Sequence, residues 1–213
     1  MKNTTNSQHG LSLLEMFLIL AAIALVLVVL SSTLARTHTR SSRISCICCL
    51  KQVGLANRLW ANDYGDQYPF ASTNATSSLA FANSPQVFRH YAIMSNELNT
   101  PKILVCPADT KRTRATDFVK FSNANVSYFV GLDAIETDPQ RFLSGDRNIT
   151  GGTLSNGFMR FFARTDNAGW TADIHVNAGN VGLADGSVQQ MTSPGLQKQL
   201  EMQTLPVIRL AIP

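Results

Sequence analysis

The sequence predicts an α+β chain in which one long N-terminal α-helix, membrane-spanning in its first half, packs on a small antiparallel β-sheet head. Three observations carry this. Leu11–Leu30 is apolar apart from Ser12 and Glu15. Cys46, Leu50, Val53, Asn57, Trp60 and Tyr64 recur at spacings of three or four, with no proline before Pro69. Asn180–Ala184 and Ser187–Met191 flank Asp185-Gly186, a dipeptide that reverses a chain between two strands.

The apolar run comes first. Twenty residues at about 1.5 Å of rise each span roughly 30 Å of hydrocarbon, and no charge occurs from Met16 to Ala35, so residues 11–35 read as a transmembrane helix. Glu15 costs on the order of 2.5–3.5 kcal/mol there, which marks it as functional. A secretory signal would have a shorter core and a small-residue cut site. Here Ser31-Ser32-Thr33 runs directly into helix-compatible sequence. A plain anchor explains the length of the run but not the ordered start Gly10-Leu11-Ser12-Leu13-Leu14-Glu15.

The helix continues as a stalk through residues 36–64. Gly54 is its one internal glycine, and Arg36, Arg40 and Arg43 lie on a polar face. Asn62-Asp63-Tyr64-Gly65-Asp66 stops it, with Pro69 beyond. Residues 65–213 form the head. Ala71–Asn99 is polar, with a short helix over Gln86–Met94 opened by Ser84-Pro85. Ile103–Pro107, Val126–Val130, Phe142–Ser144 and Phe158–Phe162 read as strands, with turns such as Gly145-Asp146-Arg147-Asn148 between them. The hairpin at 175–191 calls for a type I′ turn at Asp185-Gly186, and Pro194–Pro213 reads as a loosely attached tail that returns through Leu205–Ile212.

Charge placement narrows the function. The net charge is +4. The excess lies on Arg36, Arg40, Arg43, Lys51 and Arg58, opposed only by Asp63, while the twelve basic and twelve acidic residues of 65–213 cancel. That is a stripe beside anionic headgroups, worth about 1 kcal/mol per residue. It is not a basic domain face, so nucleic acid is not an expected partner.

Gly10-Leu11-Ser12-Leu13-Leu14-Glu15 closely resembles the type IV prepilin processing site. The resemblance implies a leader at 1–10, a cut between Gly10 and Leu11 by a prepilin peptidase, and N-methylation of Leu11. It gives Glu15 the task of pairing with the amine of a neighbouring subunit. His175, nine residues and Asp185-Gly186 resemble the H-x9-DG element that ends a large group of prepilin-like proteins. Ile44–Ala56 and Val105-Cys106-Pro107-Ala108-Asp109 agree with the same group. The implied fold is pilin-like, and the implied function is a bacterial pilin or type II secretion pseudopilin subunit. Such a subunit assembles with other subunits into a periplasmic or surface filament for secretion, adhesion or uptake. Basic residues after the span would, counted alone, keep the C-terminal part in the cytoplasm. The motif implies the reverse: a single-pass inner-membrane protein with a cytoplasmic N-terminus and a periplasmic or extracellular head. We follow the motif, because its peptidase works on the cytoplasmic face.

Among Cys46, Cys48, Cys49 and Cys106, the resemblance leaves Cys46 and Cys106 as the matching pair, with a disulfide as one state and buried thiols as the other. A zinc set of Cys46, Cys49, Cys106 and His90 or His175 lacks the spacing of a known module, so no metal and no cofactor are expected. Asp63 and Asp66 lack the calcium-loop pattern. A triad of His175 with Asp173 or Asp185 has no nucleophile elbow beside it, so no enzyme is expected. His175 is expected to pin the hairpin by hydrogen bonding, and Asp185 to shape its turn. The competing function is a membrane-anchored module that captures polysaccharide or another substrate, for which Tyr68, Phe70 and Trp170 are the candidate aromatic platform.

Overall fold

Helix α1 runs without a break from Leu13 to Asp63 in the computed structural model, which describes residues 12–162 and 165–213. The expected leader at 1–10 and the cut between Gly10 and Leu11 lie outside the described residues, as does the side chain of Arg36. The helix opens on a reciprocal cap. The Ser12 N–H donates to Glu15 Oε2 (2.9 Å), and the Glu15 N–H donates to Ser12 Oγ (3.4 Å). The following 19 residues, Leu13–Ser31, are exposed and make a helix long and apolar enough to cross a membrane. Gly65 at φ 79 ends α1, and the Asp66 N–H returns to the Ala61 carbonyl (2.8 Å), a glycine C-cap.

The chain divides into two compact units, Met1–Arg40 and Ser41–Pro213. In the second unit, the face of α1 read from its spacing is the one that packs. Cys46, Leu50, Val53, Asn57 and Trp60 are buried, and Tyr64 stacks on Trp60 with ring centroids 4.2 Å apart. Burying each large apolar side chain contributes about 1.5–3 kcal/mol.

Among the described residues the other α-helices are short, α2 (Phe88–Ala92), α3 (Ser95–Leu98) and α4 (Ser193–Glu201), and there are nine strands. Strands β1 (Tyr128–Gly131), β2 (Phe142–Asp146), β4 (Thr153–Ser155), β5 (Phe158–Phe162), β7 (Ala178–Leu183), β8 (Val188–Thr192) and β9 (Val207–Ala211) form one antiparallel sheet in the order β4-β5-β9-β1-β2-β7-β8. Strands β3 (Ile149–Thr150) and β6 (Gly169–Trp170) pair separately. Tyr128 and Val130 join the core that includes the α1 face, whereas Phe129, Val181 and Leu183 join Leu196 and Leu200 of α4. This is the period-two alternation of a sheet covered on both sides.

Three expectations change. Ile103–Pro107 is not a strand. Thr100 caps a 3-10 turn over Pro101–Leu104, and its hydroxyl accepts the Lys102 N–H (3.4 Å). A proline in the first turn favours that start over an extended one. The tail is not loose: α4 covers the sheet, and β9 lies inside it between β5 and β1, with Ile208 and Leu210 buried. The sheet is therefore larger than the small one expected. The turn at Asp185-Gly186 also differs. The Gly186 N–H bonds the Leu183 carbonyl (2.9 Å), the Leu183 N–H bonds the Ser187 carbonyl (2.9 Å), and positive φ falls on Gly186 (84°) but not on Asp185. That is a three-residue loop closed by a left-handed glycine, the alternative to a type I′ turn.

Candidate functional site

Four residues distant in sequence meet beneath α1. Cys46 comes from α1, Cys106 from the loop after the 3-10 turn, Asp146 from the end of β2, and His175 from the loop before β7. All are buried, and one ligand-type atom of each lies within 4.8 Å of all the others. Cys46 Sγ donates to Asp146 Oδ1 at 3.2 Å, Cys106 Sγ and His175 Nε2 are 3.4 Å apart, and His175 Nε2 is 3.6 Å from Asp146 Oδ2. Among the described residues this is the one such group of three or more His, Cys, Asp or Glu side chains.

Each side chain is aimed by its element. Cys46 leads the buried face of α1. Asp146 owes its direction to a β-bulge. It pairs with Tyr128 and shares that residue's helix-facing side, as does Leu143, three positions earlier. An odd spacing on one face breaks strand alternation, and the register shift between Phe142 and Ser144 supplies the extra residue. Gly145 faces the other way, where a Cβ would fall 2.6 Å from the Phe129 ring, so only glycine fits beside Asp146. His175 is followed by Val176 (φ 52) and Asn177 (φ 57). A β-branched residue at positive φ is strained, and such strain persists where surrounding structure enforces it.

The group is held from outside as well. Asp146 Oδ2 accepts from the Asn180 backbone N–H (2.7 Å) and side-chain amide (2.9 Å), and Tyr128 Oη lies 3.5 Å from Cys46 Sγ. Arg43, expected on a polar face, is half-buried and donates to the His175 carbonyl. Electrostatically the four are interdependent. Burial pushes the Cys46 thiol up. The hydrogen bond from Cys46 pulls Cys106 down to about 5 against its own burial, with His175 assisting. Burial and the nearby Cys106 charge push Asp146 up to about 7. Burial lowers His175, but Cys106 and Asp146 outweigh it and hold the imidazole above its ordinary value. A thiolate beside an imidazolium suggests a nucleophile, yet Cys106 is 1% exposed and offers no substrate a path.

A second polar contact adjoins the first. Asp109 Oδ1 and Oδ2 accept two bonds from Arg147, both at 2.7 Å, while Asp109 Oδ2 also accepts from Ser127 Oγ (2.9 Å). The Cys-Pro-Ala-Asp stretch thus supplies one residue to each contact, and Asp146-Arg147 does the same from β2.

Other expected residues are placed differently. The His175 ring does not pin the hairpin; it turns into the buried group. Asp173 pairs with Lys111 (2.7 Å), and Asp185 Oδ1 accepts the Ser187 N–H (2.8 Å), so neither serves His175. Cys46 and Cys106 are free thiols in one pocket, Cys48 is exposed and Cys49 is half-buried. The Cys-x-Cys-Cys spacing argued against a metal-ligating set; the fold draws a single cysteine from that run, Cys46, into the buried group. His90 bonds Ser78 Oγ through Nδ1 (2.8 Å), apart from the cysteines. Tyr68, Phe70 and Trp170 are core residues and form no exposed platform. Asp146 went unread because Gly145–Asn148 looked like a turn. The Ser12-x-x-Glu15 cap was legible as a motif but was overlooked.

The H-x9-DG spacing has a geometric basis. At one end His175 meets Cys46; at the other, Arg58 Nη1 donates to the Asp185 carbonyl (3.1 Å). Cys46 to Arg58 is about 18 Å of helix, and the six residues of β7 extend about 20 Å. The run from histidine to turn therefore measures off one side of α1. Among known protein families, curated proteins and solved structures, none matches this chain.

Proposed function

We propose that this chain is a type IV pilin-like or pseudopilin structural subunit. In this reading it is cut after Gly10, N-methylated at Leu11 and assembled through its N-terminal helix into a periplasmic or surface filament. One observation supports the reading most: a single helix carries an exposed apolar run at Leu13–Ser31 and, further along, the face buried in the head. A subunit that is first anchored in a bilayer and then packed in a filament core needs that run to be free of its own head. Glu15 fits the same scheme. Within one chain it caps its own helix through Ser12, and in a filament the carboxylate would neutralise the methylated amine of a neighbour. The head then faces outward from the inner membrane, with the leader on the cytoplasmic side, and the partners are a prepilin peptidase and other subunits. No catalytic role is assigned. The buried aromatics leave the substrate-capturing alternative without a specific observation in its favour.

The test is the N-terminal peptide mass of the chain taken from membranes of its native host. A start at N-methyl-Leu11 supports the reading. An unprocessed Met1 would make the chain a plain anchor, and a start near Thr33 a secreted protein; either result defeats it.

A further inference from the structure

We propose that Cys46, Cys106, Asp146 and His175 form a structural zinc site that binds one Zn2+ per chain and ties four separate segments of the head together. The inference stands on geometry and does not depend on the filament reading. Zinc takes sulfur at about 2.3 Å and nitrogen or carboxylate oxygen at about 2.0–2.2 Å, so the edges of its tetrahedron measure about 3.3–3.8 Å. Cys46 Sγ to Asp146 Oδ1 at 3.2 Å and Cys106 Sγ to His175 Nε2 at 3.4 Å are close to that size, and one ligand atom from each residue lies within 4.8 Å of all the others. A small inward adjustment of the side chains would bring all four onto one ion. Two sulfurs, an imidazole and a carboxylate suit a borderline-soft ion with no geometric preference of its own.

Burial selects the role. All four ligands are at most 3% exposed, and four protein ligands fill a tetrahedral shell. No position remains for water or substrate, which distinguishes a structural site from a catalytic one. Binding displaces the Cys46 thiol proton and the proton held between Cys106 and His175, and leaves two thiolates, a neutral imidazole and a carboxylate around a divalent ion. The residual single negative charge lies beside Arg43, which donates to the His175 carbonyl. The outer shell is also complete for Asp146, whose Oδ2 is fixed by both donors of Asn180. Such outer partners orient metal ligands in general. Without an ion, the same pocket crowds a carboxylate against two sulfurs, with the imidazole of His175 the one basic group among the four side chains.

The experiment uses the full chain extracted in mild detergent without chelator. Elemental analysis is expected to give about one zinc per chain. Replacement by Co2+ should give tetrahedral d–d absorption with sulfur-to-cobalt charge transfer. Cys48 should alkylate freely, and Cys46 and Cys106 only after chelation. Cys106→Ser and Asp146→Asn should each lower zinc affinity at least tenfold, whereas Cys49→Ser should leave it unchanged. Should Cys106→Ser fail to fold, the cobalt spectrum and alkylation pattern of the unaltered chain still decide the matter. The proposal is overturned by a chain that takes up no stoichiometric zinc or cobalt. It is equally overturned by a Cys46–Cys106 disulfide in the isolated protein, or by full zinc retention in folded Cys106→Ser and Asp146→Asn.

Discussion

The Cys106–Asp109 loop touches β2 and its following residue twice, and the two contacts are electrically unlike. Asp109 and Arg147 form a closed pair: one carboxylate, one guanidinium, two bonds at 2.7 Å, with Ser127 on the remaining oxygen. Cys106 and Asp146 belong to a group whose protein atoms provide two sulfurs and a carboxylate against one imidazole. The Asp109 and Asp146 carboxylates are both buried, although Arg147 is only half-buried, so exposure of the carboxylate does not account for the contrast. The first is complete as protein alone, and the second reaches the same completeness only with a cation. Neighbouring residues on one strand can therefore answer to different chemistry, and counting charge around each buried group reveals which.

Breaking the closed pair should have the largest effect. Arg147→Ala leaves the Asp109 carboxylate buried, its side chain having no exposed surface, with only Ser127 and the Lys111 N–H as donors. Removing one partner of a buried pair costs about 3–5 kcal/mol. The loss should appear in chemical denaturation of the detergent-solubilised chain, followed through buried Trp60 and Trp170. A loss below about 1 kcal/mol would mean that water reaches Asp109.

Chelation breaks the other half of the comparison. With free zinc a hundredfold above its dissociation constant, bound metal contributes about 2.7 kcal/mol, and a chelator should remove that from the unaltered chain. Arg147→Ala should keep the full chelator response, whereas Cys106→Ser should respond less. Equal chelator responses in these two variants would show that the contacts are not independent.

His90 sharpens the contrast as a third buried polar group, one whose partners, Ser78 Oγ and the Phe81 backbone, are neutral. Burial holds its imidazole down to about 4, with the Phe81 backbone opposing only slightly. A depressed histidine contributes stability that is fully present above its unfolded value of 6.5 and is lost as pH falls from there towards 4. The full swing is on the order of 3–3.5 kcal/mol. Asp109 is also buried, but the Arg147 hydrogen bonds hold its carboxyl below 3.8, so its contribution is lost only at pH below that. Other buried groups titrate between pH 7 and 4 as well, so the readout is the stability of the native chain relative to His90→Gln, which should fall across that window. An unchanged slope in that variant would assign the acid sensitivity elsewhere.

What the sequence disclosed depended on whether one period governed a segment. The α1 face, from Cys46 to Trp60, followed the helical repeat and was readable residue by residue. Phe158–Phe162 was readable as β5 from its run of apolar and aromatic residues. Asp146 was hidden because the bulge at Leu143 shifts the parity of β2, and a Gly-Asp pair before Arg-Asn has the composition of a turn. Strand β9 was undervalued because a C-terminal run shows no partner in sequence, yet Arg209 is bonded to Asp133 and Ile208 lies opposite Phe161. The site combined both difficulties. Cys46 and His175 stood out singly, but only long-range pairing brings Cys106 and Asp146 to them.

The smallest expected effect tests whether the two ends of β7 act as one unit. Gly186 sits at φ 84, and an alanine there would meet nothing nearer than Arg58 Nη1 at 3.5 Å, so its cost is conformational and not steric. A left-handed alanine costs about 1 kcal/mol, and Gly186→Ala should lose that much. Gly54 faces the same turn from α1, where a Cβ would lie 3.7 Å from Gly186 Cα, an ordinary contact. Gly54→Ala gains up to about 1 kcal/mol of helix propensity and should be neutral or stabilising. Neither substitution touches a ligand, so both should keep their full zinc content. If Gly186→Ala loses metal while remaining folded, strain at the turn is passed along β7 to His175. The nine-residue spacing would then set the geometry of the site as well as the position of the hairpin.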